Sequence, residues 1–127
     1  MKKVINTKNA PAPIGPYNQA IAFGNMVFTS GQIALDPVTM ALVVDDIETE
    51  TKQVMENLKA VVEAAGATME NIVKTTIFIT DMNNFGAINK VYARYFDENT
   101  APARETVQVS KLPRDVNVEI SAIVFKN

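Results

Sequence analysis

Eight consecutive residues, Ile72-Val73-Lys74-Thr75-Thr76-Ile77-Phe78-Ile79, dictate the centre of the fold. They are rich in β-branched side chains, whose stiff χ1 favours a pleated strand over a helix. Helical periodicity flanks them on both sides. From Ile47 to Ala65, the apolar residues Ile47, Val54, Leu58, Val61, Val62 and Ala65 recur at three- and four-residue steps and form one stripe. Gly66 follows as a stop, at a position where a positive φ costs glycine little. Beyond the central run, Thr80 or Asp81 can cap a second helix whose apolar face is Phe85, Ile88, Val91, Tyr92, Tyr95 and Phe96. Pro102, within Asn99 to Ala103, ends it.

Strand signals bracket this core. Pro11, Pro13 and Pro16 mark an extended arm, after which Asn18 to Phe23 alternates, with Gln19, Ile21 and Phe23 on one side. Gly24-Asn25 is a two-residue hairpin signal leading into Met26 to Thr29. A weaker strand is expected at Gln32 to Leu35, with Ala41 to Val44 as a further extended piece. Glu105 to Ser110 and Asn117 to Phe125 complete the set, joined by a turn at Leu112-Pro113-Arg114-Asp115. This order predicts one α+β domain over residues 1–127, a mixed β-sheet with both helices packed on one face. In the last strand Val118, Ile120, Ala122 and Val124 share one side, while Asn117, Glu119 and Ser121 share the other with Ile123 and Phe125. The second face is too apolar for plain solvent and suits subunit packing around polar pockets.

Composition narrows the chemistry. The 127 residues contain no Cys and no His, which rules out thiolate nucleophiles, imidazole catalysis and the common zinc sites. Catalysis must rest on carboxylates, Arg or Lys, hydroxyls and backbone groups. With 12 basic and 14 acidic residues the net charge is −2, which gives no general attraction to phosphate backbones, so nucleic acid is not an expected partner. Neither a leader nor a membrane-length apolar run is visible, and a cytoplasmic location is the expectation. Asp45, Asp46, Glu48 and Glu50 fit a helix N-terminus better than a metal site.

Several residues could carry chemistry. Arg104, at a loop–strand junction, offers a planar fork for a small carboxylate; the alternative is an exposed surface arginine or a partner for Glu98 or Glu105. Glu119, mid-strand among apolar neighbours, would have its pKa raised by burial and suit proton transfer with water, or would simply solubilise an exposed edge. Tyr17 can wall a pocket and donate one hydrogen bond, or merely pack. Gly31, within Thr29-Ser30-Gly31-Gln32, suggests a bulge or a close backbone approach by a ligand. Phe85 and Asn89 share a helical face.

Taken together, Gly15-Pro16-Tyr17, Phe28-Thr29-Ser30-Gly31-Gln32-Ile33, Ala64-Ala65-Gly66, Phe78-Ile79-Thr80-Asp81, Phe85 to Asn89, Pro102-Ala103-Arg104 and Val118-Glu119-Ile120 resemble the Rid family, the reactive intermediate deaminases or YjgF-type proteins. The resemblance spans essentially the whole chain. It implies a chorismate-mutase-like fold and a homotrimer with sheets around a central barrel and sites between subunits. The implied activity is hydrolysis of 2-imino acids or their enamine tautomers, such as 2-iminobutyrate and 2-iminopropionate, to 2-keto acids and ammonia. These are intermediates released by pyridoxal-phosphate enzymes, and the activity itself needs no cofactor or metal. By the same resemblance Arg104 binds the substrate carboxylate, Tyr17 lines the pocket around the imine, and Ser30 and Gly31 contact the ligand, with Phe85 and Asn89 shaping the same cleft. Glu119, with the Thr106 carbonyl, positions or deprotonates water.

Two departures stand out. Thr106 stands where many members carry Cys, and Glu105 where a small residue is usual. Strand alternation should turn Glu105 away from the face of Arg104 and Thr106. They motivate an alternative reading, a trimeric binding or regulatory protein for small carboxylates such as keto acids, with little turnover. RNA cleavage, attributed to some relatives, fits poorly with the acidic balance and the missing imidazole.

Overall fold

A computed structural model describes residues 1–127. Its six strands are β1 (Lys2–Ile5), β2 (Ala20–Phe23), β3 (Met26–Thr29), β4 (Ile72–Ile79), β5 (Ala103–Gln108) and β6 (Val118–Phe125). The helices are α1 (Ile47–Ala64) and α2 (Phe85–Tyr92). One mixed sheet runs in the order β1-β2-β3-β6-β4-β5, with β4 and β5 parallel and every other pair antiparallel. Both helices cover the same face, as expected. Val54, Leu58, Val61 and Val62 of α1 and Ile88 of α2 join Ile77, Ile79, Ile120 and Val124 of the sheet in one buried cluster. Burying such side chains contributes about 1.5–3 kcal/mol each.

The central run is the strand its sequence predicts, with one irregularity. The register against β6 slips between Ile72 and Lys74, so Val73 bulges outward, half exposed. Ile72 and then Thr75, Ile77 and Ile79 therefore all face inward. The bare face carries Val4, Phe23, Phe28, Val107 and Phe125, all more than two-fifths exposed, around Glu119 and Ser121.

Four expectations need correcting. Lys2–Ile5, left out of the expected strands, is an edge strand, because β2 offers it a free row of backbone groups. Gln32 to Leu35 is no regular strand: Gln32 makes one bridge to Ile120 and Leu35 one to Leu42. Gln19 does not share a strand face with Ile21 and Phe23; it lies before β2, buried under the arm. The second α-helix is also shorter than its apolar face suggests. A 3-10 turn, Met82–Asn84, precedes it, with Asp81 accepting from the Asn83 N–H, and Ala93–Tyr95 ends it as another 3-10 turn. At α1 the cap is Asp46, which accepts from the Thr49 N–H at 2.8 Å and the Thr49 hydroxyl at 2.9 Å. No helix is long and apolar enough to cross a membrane.

Candidate active site

Sheet pleating sorts the candidate residues into two groups. Arg104 stands beside Thr75 in the β4–β5 register, and the Thr75 side chain is buried beneath α2. Glu119 stands opposite Phe78, whose neighbours Ile77 and Ile79 point to the core, so Glu119 faces the bare side. A single chain thus separates Arg104 from Glu119 by placing them on opposite faces of the sheet.

On the helix side, Arg104 is held from three directions. Its Nη1 donates to Asn89 Oδ1 at 2.6 Å, and its guanidinium carbon lies 5.4 Å from the Phe85 ring centroid and 5.1 Å from that of Tyr92. Both rings lie within cation–π range. Tyr92 is fixed in turn by a 2.7 Å hydroxyl–hydroxyl bond to buried Thr75, and burial pushes its phenol pKa up, so it stays neutral. A depression lined by Asn89, Tyr92, Phe96, Glu98 and Ala101 opens beside the guanidinium. Neither Glu98 nor Glu105 pairs with it: Glu105 turns to the other face, as alternation predicts, and bonds Lys74 Nζ at 2.9 Å. Thr106 shares the face of Arg104, in register with Ile77. Its Oγ1 is buried without a hydrogen-bond partner.

On the other side, a cavity of about 590 Å³ is lined by Tyr17, Ser30, Gly31 and Glu119, walled by Pro11, Ala12 and Ile14 of the arm and by Pro113 and Arg114 of the last turn. Glu119 rises from β6 directly against Gly31. A Cβ at position 31 would collide with the carboxylate, lying 2.7 Å from Glu119 Cδ and 2.9 Å from Cγ. What lies close against Gly31 is therefore the Glu119 side chain, a neighbour that the sequence pattern at this glycine does not identify. Burial alone raises the Glu119 pKa above the ordinary carboxylate value. A carboxylate so tuned accepts a proton from water and returns it more readily than an exposed one. The Tyr17 hydroxyl accepts weakly from the Ile14 N–H at 3.4 Å, which leaves its own proton to donate. Ser30 is less free: its hydroxyl donates to the Asn18 carbonyl at 2.5 Å and can only accept from a ligand.

Three residues without an assigned role in the sequence hold this cavity in shape. Gln19 accepts from the Thr7 N–H at 2.6 Å and donates to the carbonyls of Thr7, Ala10 and Pro11 at 3.0, 3.2 and 2.9 Å, fastening the arm. Asn57 of α1 donates to the carbonyls of Ile33 and Leu35, which secures the floor. Glu50, in the acidic first turn of α1, is fully buried. It accepts from the Asn117 N–H and side-chain amide, both at 2.7 Å, two residues before Glu119. The only sequence signal for these was a polar residue within an apolar pattern. No cluster of three or more His, Cys, Asp or Glu side chains could hold a metal ion.

Comparison with known proteins matches residues 7–126 to the family described as Endoribonuclease L-PSP. A RutC family protein of Synechocystis is 56% identical over 122 residues, covering 95% of this chain and 94% of the relative. The 2-iminobutanoate/2-iminopropanoate deaminase of Salmonella typhimurium is 50% identical over 128 residues, covering 99% of each. Among solved structures, Escherichia coli TdcF with bound serine superposes with a TM-score of 0.93 at 47% identity, covering 98% of this chain and 99% of that one.

Proposed function

The chain belongs to the Endoribonuclease L-PSP family, among the Rid (YjgF) proteins, and on that premise we propose that it hydrolyses reactive 2-imino acids to 2-keto acids and ammonia. The observation that carries this reading is the carboxylate of Glu119, its pKa raised by burial, standing in a cavity with a donating tyrosine. A protonated 2-imino acid is already electrophilic at its imine carbon, so positioning and electrostatics can supply most of the rate. Water adds to that carbon as Glu119 takes its proton, and the C=N π electrons pass to nitrogen. The resulting carbinolamine collapses: Glu119 returns its proton to nitrogen, the C–N bond breaks with ammonia leaving, and the hydroxyl proton passes to solvent water as the carbonyl forms. Arg104 binds the substrate carboxylate through the guanidinium edge that Asn89 leaves free. 2-Iminobutyrate and 2-iminopropionate are the proposed substrates, and removing them limits damage from pyridoxal-phosphate enzymes.

Arg104 and Glu119 act on one substrate only if two copies of the chain contribute. The opposed faces of the two groups and the apolar patches on the bare face support a homotrimer with three shared sites. Complementation tests both ideas. Arg104→Ala and Glu119→Gln should each fail to accelerate keto-acid release from freshly generated 2-iminobutyrate. Assembled together at equal dose, they should regain roughly a quarter of the activity, because one site in four combines an intact Arg104 with an intact Glu119. No recovery would argue against shared sites, and an inactive parent protein would end the enzyme reading.

The bound serine in the E. coli relative favours a second reading, a binding or regulatory protein for small carboxylates. Tight binding of 2-ketobutyrate beside negligible turnover would support it. The ribonuclease in the family's description finds no support in the net charge of −2 or in a chain without histidine.

A further inference from the structure

Of the three arginines, Arg94 lies 3.9 Å from Glu48 and Arg104 is held by Asn89, but Arg114 makes no ion pair and no side-chain hydrogen bond. It is the one basic side chain lining the Glu119 cavity. Its backbone is left-handed, with φ 59° and ψ 18°, and Asp115 follows at φ 58°. Non-glycine residues adopt this conformation only where their surroundings impose it. Here Leu112 and Val116 are buried on either side, the Asp115 N–H donates to the Leu112 carbonyl at 3.1 Å, and Glu50 clamps Asn117 just beyond. The turn is therefore fixed, with Arg114 on the cavity wall.

We propose that Arg114 captures the substrate: it draws the carboxylate of the small anionic ligand into a cavity whose other charged lining group is an acid. The identity of that ligand rests on the function proposed above. Without Arg114, Glu119 would repel the same anion that Arg104 must bind. Such an effect is long-range and screened by salt, unlike a contact.

Calorimetric titration with 2-ketobutyrate, a stable product analogue, tests this without requiring turnover. At low ionic strength Arg114→Gln should weaken binding about fivefold, and Arg114→Glu more than about tenfold. Arg114→Lys should stay within about twofold of the parent, because the charge is kept. All three replacements are unbranched, so the left-handed backbone is burdened no more than by arginine. In ~0.5 M salt the differences should shrink below about twofold, whereas Arg104→Ala should abolish binding at either salt concentration. Equal affinity for the parent and Arg114→Glu at low salt, or a loss that salt leaves unchanged, would overturn the proposal. If the parent binds 2-ketobutyrate but releases no keto acid from imines, the enzymatic reading fails and the Arg114 comparison still decides. A parent that binds no keto acid overturns both.

Discussion

Replacing Gly31 with alanine should silence the protein while leaving it folded. Its φ is not in the left-handed region, so alanine fits the backbone, and the loss of unfolded-state freedom stabilises by about 0.4–1 kcal/mol. The difficulty lies in the side chain opposite. A Cβ would stand 2.7 Å from Glu119 Cδ and 2.9 Å from Cγ, where ordinary contact begins at 3.4 Å. The carboxyl carbon must therefore retreat by about 0.7 Å and its oxygens further, and a misplacement near 1 Å can cost about a hundredfold in rate. Rotating a flexible carboxylate costs about 1 kcal/mol, close to the backbone gain, so the melting temperature should move by less than about 3 °C. The assay is keto-acid release from freshly generated 2-iminobutyrate, with thermal unfolding alongside. Full activity at an unchanged melting temperature would show that the position of Glu119 against Gly31 has no part in the reaction. A drop of about ten degrees would place the strain in the backbone.

Arg104→Lys keeps the charge but loses the fork, and should lower kcat/KM about ten- to a hundredfold in the same assay with little change in melting temperature. Glu119→Gln follows from the raised pKa of Glu119. Burial penalises the ionised form, so that cost is absent below the ordinary value of 4.5 and develops as pH rises through the shifted pKa. The glutamine variant should therefore gain stability over the parent near pH 7 but not below pH 4.5, read as melting temperature against pH. The parent's kcat/KM should have an acidic limb displaced above 4.5, as the base must be ionised to take a proton. Glu50→Ala strips both acceptors from Asn117 and should cost about 2–3 kcal/mol, measured as a lowered urea midpoint.

Both helices, the strands from Met26 to Thr29 and from Ile72 to Ile79, and the inward face of β6 were legible because period and propensity agree there: β-branched runs alternate, and apolar steps of three and four recur. Lys2–Ile5 was not legible, since a short charged segment becomes a strand only when a neighbouring edge offers hydrogen bonds. Candidate site residues were legible by type: an arginine after Pro102-Ala103, a carboxylate among valines and isoleucines, a glycine in a strand-like run. Sequence by itself also excluded imidazole and thiol chemistry outright. The grouping of these residues was a matter for the tertiary structure. Pleating turns Arg104 under α2 and Glu119 away from it, and the approach of β6 brings Glu119 against a glycine far from it along the chain. Gln19 and Glu50 look ordinary in sequence, because a buried polar side chain acquires its role from carbonyls and amides that other segments deliver. A linear pattern records which face a residue occupies within its own element; which distant backbone groups meet that face depends on how the elements pack.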